Sequence, residues 1–240
     1  MDVEYSRHYR DLHERHWWFR CRQRWVERHL ERRLDGRQVG PILDIGAGDG
    51  LFLPLLARYG EAEGLEPEPE AVSEATRERW TLHLQPFDQS FDPGQRYGLI
   101  TLFDVLEHLD HPVEALRHAR SLLRPDGLLM LTVPALRLLW TQHDELNHHR
   151  TRYTRPELRA ELEASGFQIL ECRYFYHWLV PIKLAVRGSE AIRGAEPEVP
   201  QVPGPFWNRL FYGITCVEQD VVSFLRLPFG SSILAIAKPR

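Results

Sequence analysis

The chain has 240 residues, 43% hydrophobic and 27% charged, a globular balance that excludes wholesale disorder and collagen-like repeats. A formal net charge of −4, with 12 histidines counted neutral, leaves no strong nucleic-acid footprint. No stretch supplies the roughly 20 apolar residues of a membrane span, and the N-terminus lacks the basic-then-apolar pattern of a signal peptide. Cys21, Cys172 and Cys216 are odd in number and share no metal or redox spacing, so free thiols in a reducing, cytoplasmic setting are expected.

In chain order, residues 4–34 predict an arginine-rich helix, with Trp17, Trp18, Cys21, Trp25, Val26 and Leu30 recurring at helical spacing. Pro41 introduces a short strand at 42–45, followed by a glycine-rich turn and a helix over 51–59 that stops at Gly60. Strands are expected at 62–66, 81–85 and 98–103, with a helix at 70–80 between the first two of these. A helix at 113–123 follows, and Pro125, Asp126 and Gly127 turn the chain into a fifth strand at 128–133. Beyond a polar, histidine-rich connection (141–153), Thr154 and Glu157 fit a capping box for a helix that stops at Gly166. The last strands are predicted at 167–175 and 231–237; between them lie an apolar segment, a proline-rich linker at 196–205 and an aromatic helix at 206–225. Strands alternating with helices imply an α/β, doubly wound, mostly parallel sheet. The whole of 1–240 reads as one domain, with a helical extension at 1–38 and an aromatic insertion at 176–230.

The turn after the first strand carries Gly46, Gly48 and Gly50 between two acids, Asp44 and Asp49. Glycines let backbone pass close to a ligand, but two carboxylates would repel the pyrophosphate that a helix N-terminus attracts. An NAD(P)-dependent oxidoreductase is therefore the disfavoured alternative, and a cationic ligand without phosphate suits the loop. Glu66, at the end of the second strand, is placed to accept hydrogen bonds from a ribose diol.

LDIGAGDG, GLEPEP, ITLFDVLEHLDHPVEAL and LLRPDGLLMLTVPA resemble, in order over about residues 39–175, the motifs of class I S-adenosylmethionine-dependent methyltransferases. The resemblance implies a seven-stranded sheet of order 3-2-1-4-5-7-6 with strand seven antiparallel. It places Asp44, Gly46 and Gly48 against the methionine part of S-adenosylmethionine, Glu66 on the ribose, Asp88 (with Phe87 beside it) near the adenine amino group, and Phe103 along the cofactor; Phe103 also reads as plain core. A non-catalytic binding module on the same fold is the other alternative.

Asp104, Glu107 and His108 share one face if the stretch after strand four is helical. That run is similar to one in ubiquinone-type O-methyltransferases. The sequence from Tyr153 to Glu157 also resembles a segment of small-RNA 3′-end 2′-O-methyltransferases whose metal-binding histidine lies four residues earlier, which here is His149. Asp104, Glu107, His108 and His149 are thus the candidate ligands of a divalent cation; without metal, His108 or His149 is the candidate general base. His143, Asp144 and His148 have weaker claims. Arg24, after the Trp17-Trp18 pair, is the candidate for the methionine carboxylate by resemblance to the ubiquinone-type enzymes, and the pair itself is a packing anchor or a sugar platform. Trp17-Trp18-Phe19-Arg20-x-Arg22 and LWTQHDELNHHRTRYTRPEL also resemble members associated with glycan assembly. Together with the ubiquinone-type likeness, the resemblance implies O-methylation of a small-molecule or glycan-like acceptor. The insertion is expected to cover the sheet, cap the pocket or make a peripheral membrane contact.

Overall fold

The computed structural model describes residues 10–193 and 201–240. Residues 4–9 of the expected first helix and 196–200 of the expected linker lie outside the described residues. The sheet grows from β1 (Ile42–Ile45), an apolar strand buried along its whole length. β2 (Ala62–Leu65) and β4 (Tyr97–Phe103) pair with it in parallel, and β3 (Leu82–His83) extends the β2 edge. On the other side β5 (Leu123–Pro134) runs parallel to β4, while β7 (Ser232–Pro239) inserts antiparallel between β5 and β6 (Phe167–Phe175). The order is β3-β2-β1-β4-β5-β7-β6, as expected.

Alternation along the strands assigns side chains to two faces. Leu43, Ile100 and Leu102 join a core with Leu116 and Leu122 of α5 (Pro112–Leu122) and Leu158 and Leu162 of α7 (Arg155–Ala164). Ile42, Leu99 and Phe103 face the other way, onto Trp25, Val26, Leu30 and Leu34 of α2 (Trp17–Leu34). Each such fully buried aliphatic side chain contributes about 1.5–3 kcal/mol, so the arginine-rich helix is fastened by its narrow apolar stripe.

Several elements are shorter than the periodicity suggests. The first helix is broken: residues 10–15 (α1) are helical, and α2 starts afresh because the His16 imidazole caps it, accepting from Trp18 N–H at 3.1 Å. The expected helix at 51–59 is one turn, α3 (Leu53–Leu56), flanked by turns. Ser73 caps a late start for α4 (Glu74–Arg79), which leaves a single 3₁₀ turn before it. The histidine-rich connection holds an unforeseen helix, α6 (Gln142–Leu146), begun by a capping box between Thr141 and Asp144. The insertion forms α8 (Leu179–Arg193) and α9 (Pro205–Val221), and α9 lies on α2 through Asn208, which accepts from Trp17 N–H, and Gln219, which donates to Cys21 C=O, both at 2.8 Å. Trp17 packs among Tyr176, Trp178 and Phe211, so it is a packing anchor.

Candidate functional site

The glycine turn leaves β1 with Gly46, Gly48 and Gly50 all at positive φ, between 53° and 71°, a region that costs a residue with a Cβ about 1–2 kcal/mol. Gly46 and Ala47 N–H groups donate to Leu65 C=O, and Gly48 N–H donates to Glu66 Oε2 at 2.8 Å, so the turn is clamped to the end of β2. Glu66 Oε1 accepts from Glu68 N–H at 3.0 Å. A Cβ at Gly46 would sit 2.4 Å from Val105, whereas one at Gly48 would enter open space. Asp44 is buried and accepts from Thr101, its neighbour across β4, at 2.6 Å. Burial lifts the Asp44 carboxyl to about 7, against the pull of the Thr101 hydrogen bond and the Arg22 charge. Burial also raises Glu66. Two acids beside an open glycine turn suit a cationic ligand, whose charge favours their ionised forms.

Asp49 is used within the protein, holding Ser73 N–H at 2.9 Å and pairing with Arg10. Phe103 ends β4 and packs on Phe52 with ring centroids 4.4 Å apart. Phe87 packs on His118 (5.0 Å). Asp88 lies in the exposed loop after β3, where its Oδ1 accepts from Ser90 N–H and Oγ. Arg24 turns towards α9, binding Gln219 Oε1 at 2.7 Å and Asp220 at 2.9 and 3.0 Å, along a cleft of about 760 Å³ that Asp49 and Gly50 also line. Arg22 takes the inward position, buried over Trp18 and Phe52 and paired with Asp104. A single arginine inside the apolar stripe, four residues after Trp18 and three before Trp25, was the readable signal for it.

Past β4 the chain does not run on as an α-helix. Asp104 sits at φ 58° and only Leu106–His108 form a 3₁₀ turn, so Asp104 leaves the face of Glu107 and His108. Thr132 donates to Asp104 Oδ1 at 2.9 Å and Arg22 holds Oδ2. Glu107, His108 and His149 do converge, with one ligand atom from each all within 4.8 Å of one another. The two imidazoles meet edge to face at 4.9 Å. Glu107 is fully buried with neither carboxylate oxygen hydrogen-bonded; burial, then the charge of Asp104, raises it well above the usual range. Burial, then His149, lowers His108.

Asp144, a weak candidate in the sequence, organises this corner. Its Oδ1 accepts from His149 Nδ1 at 2.8 Å and Arg152 Nε at 2.7 Å, and its Oδ2 from Thr141 N–H at 2.9 Å. Burial alone would raise this carboxyl, but the His149 hydrogen bond and Arg152 hold it below the ordinary range. With Nδ1 engaged, His149 Nε2 is left to act as acceptor or ligand. His143 and His148 are exposed on the same connection.

This sheet order, with a glycine turn after β1 and an acid after β2, defines the class I S-adenosylmethionine-dependent methyltransferase fold. The chain belongs to the methyltransferase domain family, whose model matches residues 14–172. It is 26% identical over 162 residues to a ubiquinone biosynthesis O-methyltransferase of Azorhizobium caulinodans, a match covering 57% of this chain and 64% of that enzyme. Over 214 residues it is 25% identical to a probable S-adenosylmethionine-dependent methyltransferase of Mycolicibacterium smegmatis, covering 87% of this chain and 82% of the relative. A Haloferax volcanii putative methyltransferase, solved in complex with the Trm112 activator, superposes with a TM-score of 0.61 at 18% identity, covering 98% of this chain and 94% of the other. The family sets aside the dinucleotide oxidoreductase alternative.

Proposed function

We propose that the chain transfers the methyl group of S-adenosylmethionine to a hydroxyl oxygen of a small-molecule or glycan-like acceptor. The observation that carries the reading is the His149–Asp144 pair beside His108, at the same end of β4 as Phe103. S-Adenosylmethionine supplies an activated methyl on a sulfonium. Asp44, Gly46, Gly48 and Glu66 hold its methionine and ribose, with Phe103 alongside and Asp88 on the adenine side. His149 Nε2 takes the acceptor proton while Asp144 stabilises the resulting imidazolium, and His108 is the neighbouring base. Alignment and a base suffice for such a displacement. The likeness to ubiquinone-type enzymes over part of their length supports oxygen as the acceptor atom.

The test is transfer of a deuterated methyl group to phenol, catechol and saccharide panels, read by mass spectrometry. His149→Ala should lower turnover by about 10²-fold or more with S-adenosylmethionine affinity unchanged. Methylation of amines alone would overturn the oxygen assignment.

A second reading rests on Glu107. Two buried, unbonded carboxylate oxygens facing two imidazoles form a donor set that fits a divalent cation. Glu107, His108 and His149 would hold it; Asp104, occupied by Thr132 and Arg22, would not. Such an ion would lower the pKa of the acceptor hydroxyl.

A further inference from the structure

We infer that the outer face of α9 docks on an anionic phospholipid surface. Phe206, Trp207, Leu210, Ile214, Val217 and Val221 are exposed in α9, and the stripe continues through Phe224 and Leu225 in the 3₁₀ turn that follows. Their spacing of three and four puts them on one side of the helix, over a length of roughly 30 Å at 1.5 Å per residue. Phe206, Val217 and Phe224 are 70%, 61% and 80% exposed, where isolated surface apolar residues would need no explanation but a continuous row does.

The charges of α9 divide by side. Glu218 is buried, accepting from His177 and Trp178 N–H at 2.9 and 3.1 Å, and Asp220 is bound by Arg24 and Arg28. On the exposed side Arg209 lies in a groove with Phe206, Leu210, Ile214 and Val217, and Arg226 closes the far end of the stripe. The face is therefore apolar with basic residues at its margin, while of the acids of α9 Glu218 is buried and Asp220 is neutralised by Arg24 and Arg28. That is the charge sense that suits anionic headgroups. A protein partner would ask for hydrogen-bonding side chains about every 100–200 Å², and among the side chains described along this stripe only Trp207 and the two arginines offer any. No helix among the described residues is long and apolar enough to cross a membrane, so α9 would lie in the plane of the interface.

Vesicle flotation decides it. The chain should float with vesicles of equimolar phosphatidylcholine and phosphatidylglycerol and less with phosphatidylcholine alone. Trp207→Ser combined with Phe224→Ser should reduce the floating fraction about ten-fold. Arg209→Glu with Arg226→Glu should remove the anionic preference, at about five-fold per charge, and decides the matter if the first pair fails to fold. S-Adenosylmethionine affinity in solution should be unchanged in both, which separates this surface from the methyl-transfer site. Absence of flotation by the folded parent chain would overturn the inference. So would a dimer by sedimentation that Phe224→Ser dissociates while vesicles capture neither form, since a second copy would then cover the face.

Discussion

His149 Nδ1 and Asp144 Oδ1 lie 2.8 Å apart, and the same oxygen receives Arg152 Nε at 2.7 Å. One fully buried carboxylate thus orients a candidate base and neutralises an arginine that is 1% exposed. Removing that charge leaves Arg152 unpaired, so Asp144→Asn should cost about 3–5 kcal/mol of stability as well as activity. Chemical denaturation of Asp144→Asn, Arg152→Leu and the double variant should show strong coupling; additive losses would show that the two do not act as a pair.

Glu66 is expected to serve two structures at once. Its oxygens hold the Gly48 and Glu68 N–H groups, and each oxygen has a further lone pair that a ribose diol could use. Glu66→Ala should therefore weaken S-adenosylmethionine binding by about 1.5–3 kcal/mol and also lower the melting temperature of the ligand-free chain. Glu66→Gln keeps one acceptor oxygen and should lose less of both. Isothermal calorimetry beside thermal melts checks this; unchanged affinity for Glu66→Ala would place the ribose elsewhere.

Asp44 gives the cofactor site a pH dependence with a definite sign. Its carboxyl is raised to about 7 by burial, so it is mostly protonated below that pH and ionised above it. A cationic α-ammonium binds the ionised form better, so affinity for S-adenosylmethionine should fall as pH drops from 8 to 6, by up to about ten-fold per unit below the pKa. In the ligand-free chain the raised pKa contributes stability below the unfolded carboxylate value, and that contribution is lost as pH rises towards 7. Asp44→Asn should flatten both dependences. An affinity independent of pH in the parent chain would remove Asp44 from contact with the ammonium.

Most of the fold was legible because it depends on local patterning. The apolar run 42–45, the turn at 46–50 and the Thr154–Glu157 capping box were read where they stand. In the candidate site, the glycine turn at Gly46 and Gly48 beside Glu66 was legible as backbone geometry, and side-chain direction was less so. Arg22 and Arg24 sit two positions apart on α2, and two helical positions turn a side chain by about 200°. One faces β4 and the other faces α9, and only the position of α9 fixes which is which. Asp104 shares a face with Glu107 only on a helix, and its positive φ, with Thr132 and Arg22 as partners, abolishes that face. Asp144 had only a weak claim in the sequence, because its capping of α6 and its bond to His149 both depend on how the connection folds back.

Glu107 supports the last prediction. It is completely buried, neither oxygen has a hydrogen-bond partner, and His108 and His149 each bring a ligand atom within 4.8 Å. Burial disfavours the ionised form of this carboxyl, so Glu107→Gln, which has no charge to neutralise, should melt at or above the parent chain in the presence of a chelator. Adding manganese or magnesium reverses the order if these three side chains are ligands. An ion at one hundred times its Kd contributes about 2.7 kcal/mol, worth roughly 5–10 °C for a chain of this size. The parent chain should gain that shift, while Glu107→Gln and His149→Ala should gain little and His143→Ala should behave like the parent. Because the readout is melting and not turnover, it is independent of the acceptor. Equal shifts in all four proteins would mean that the cation binds elsewhere, and no shift in the parent would leave His149 with Asp144 as a metal-free base.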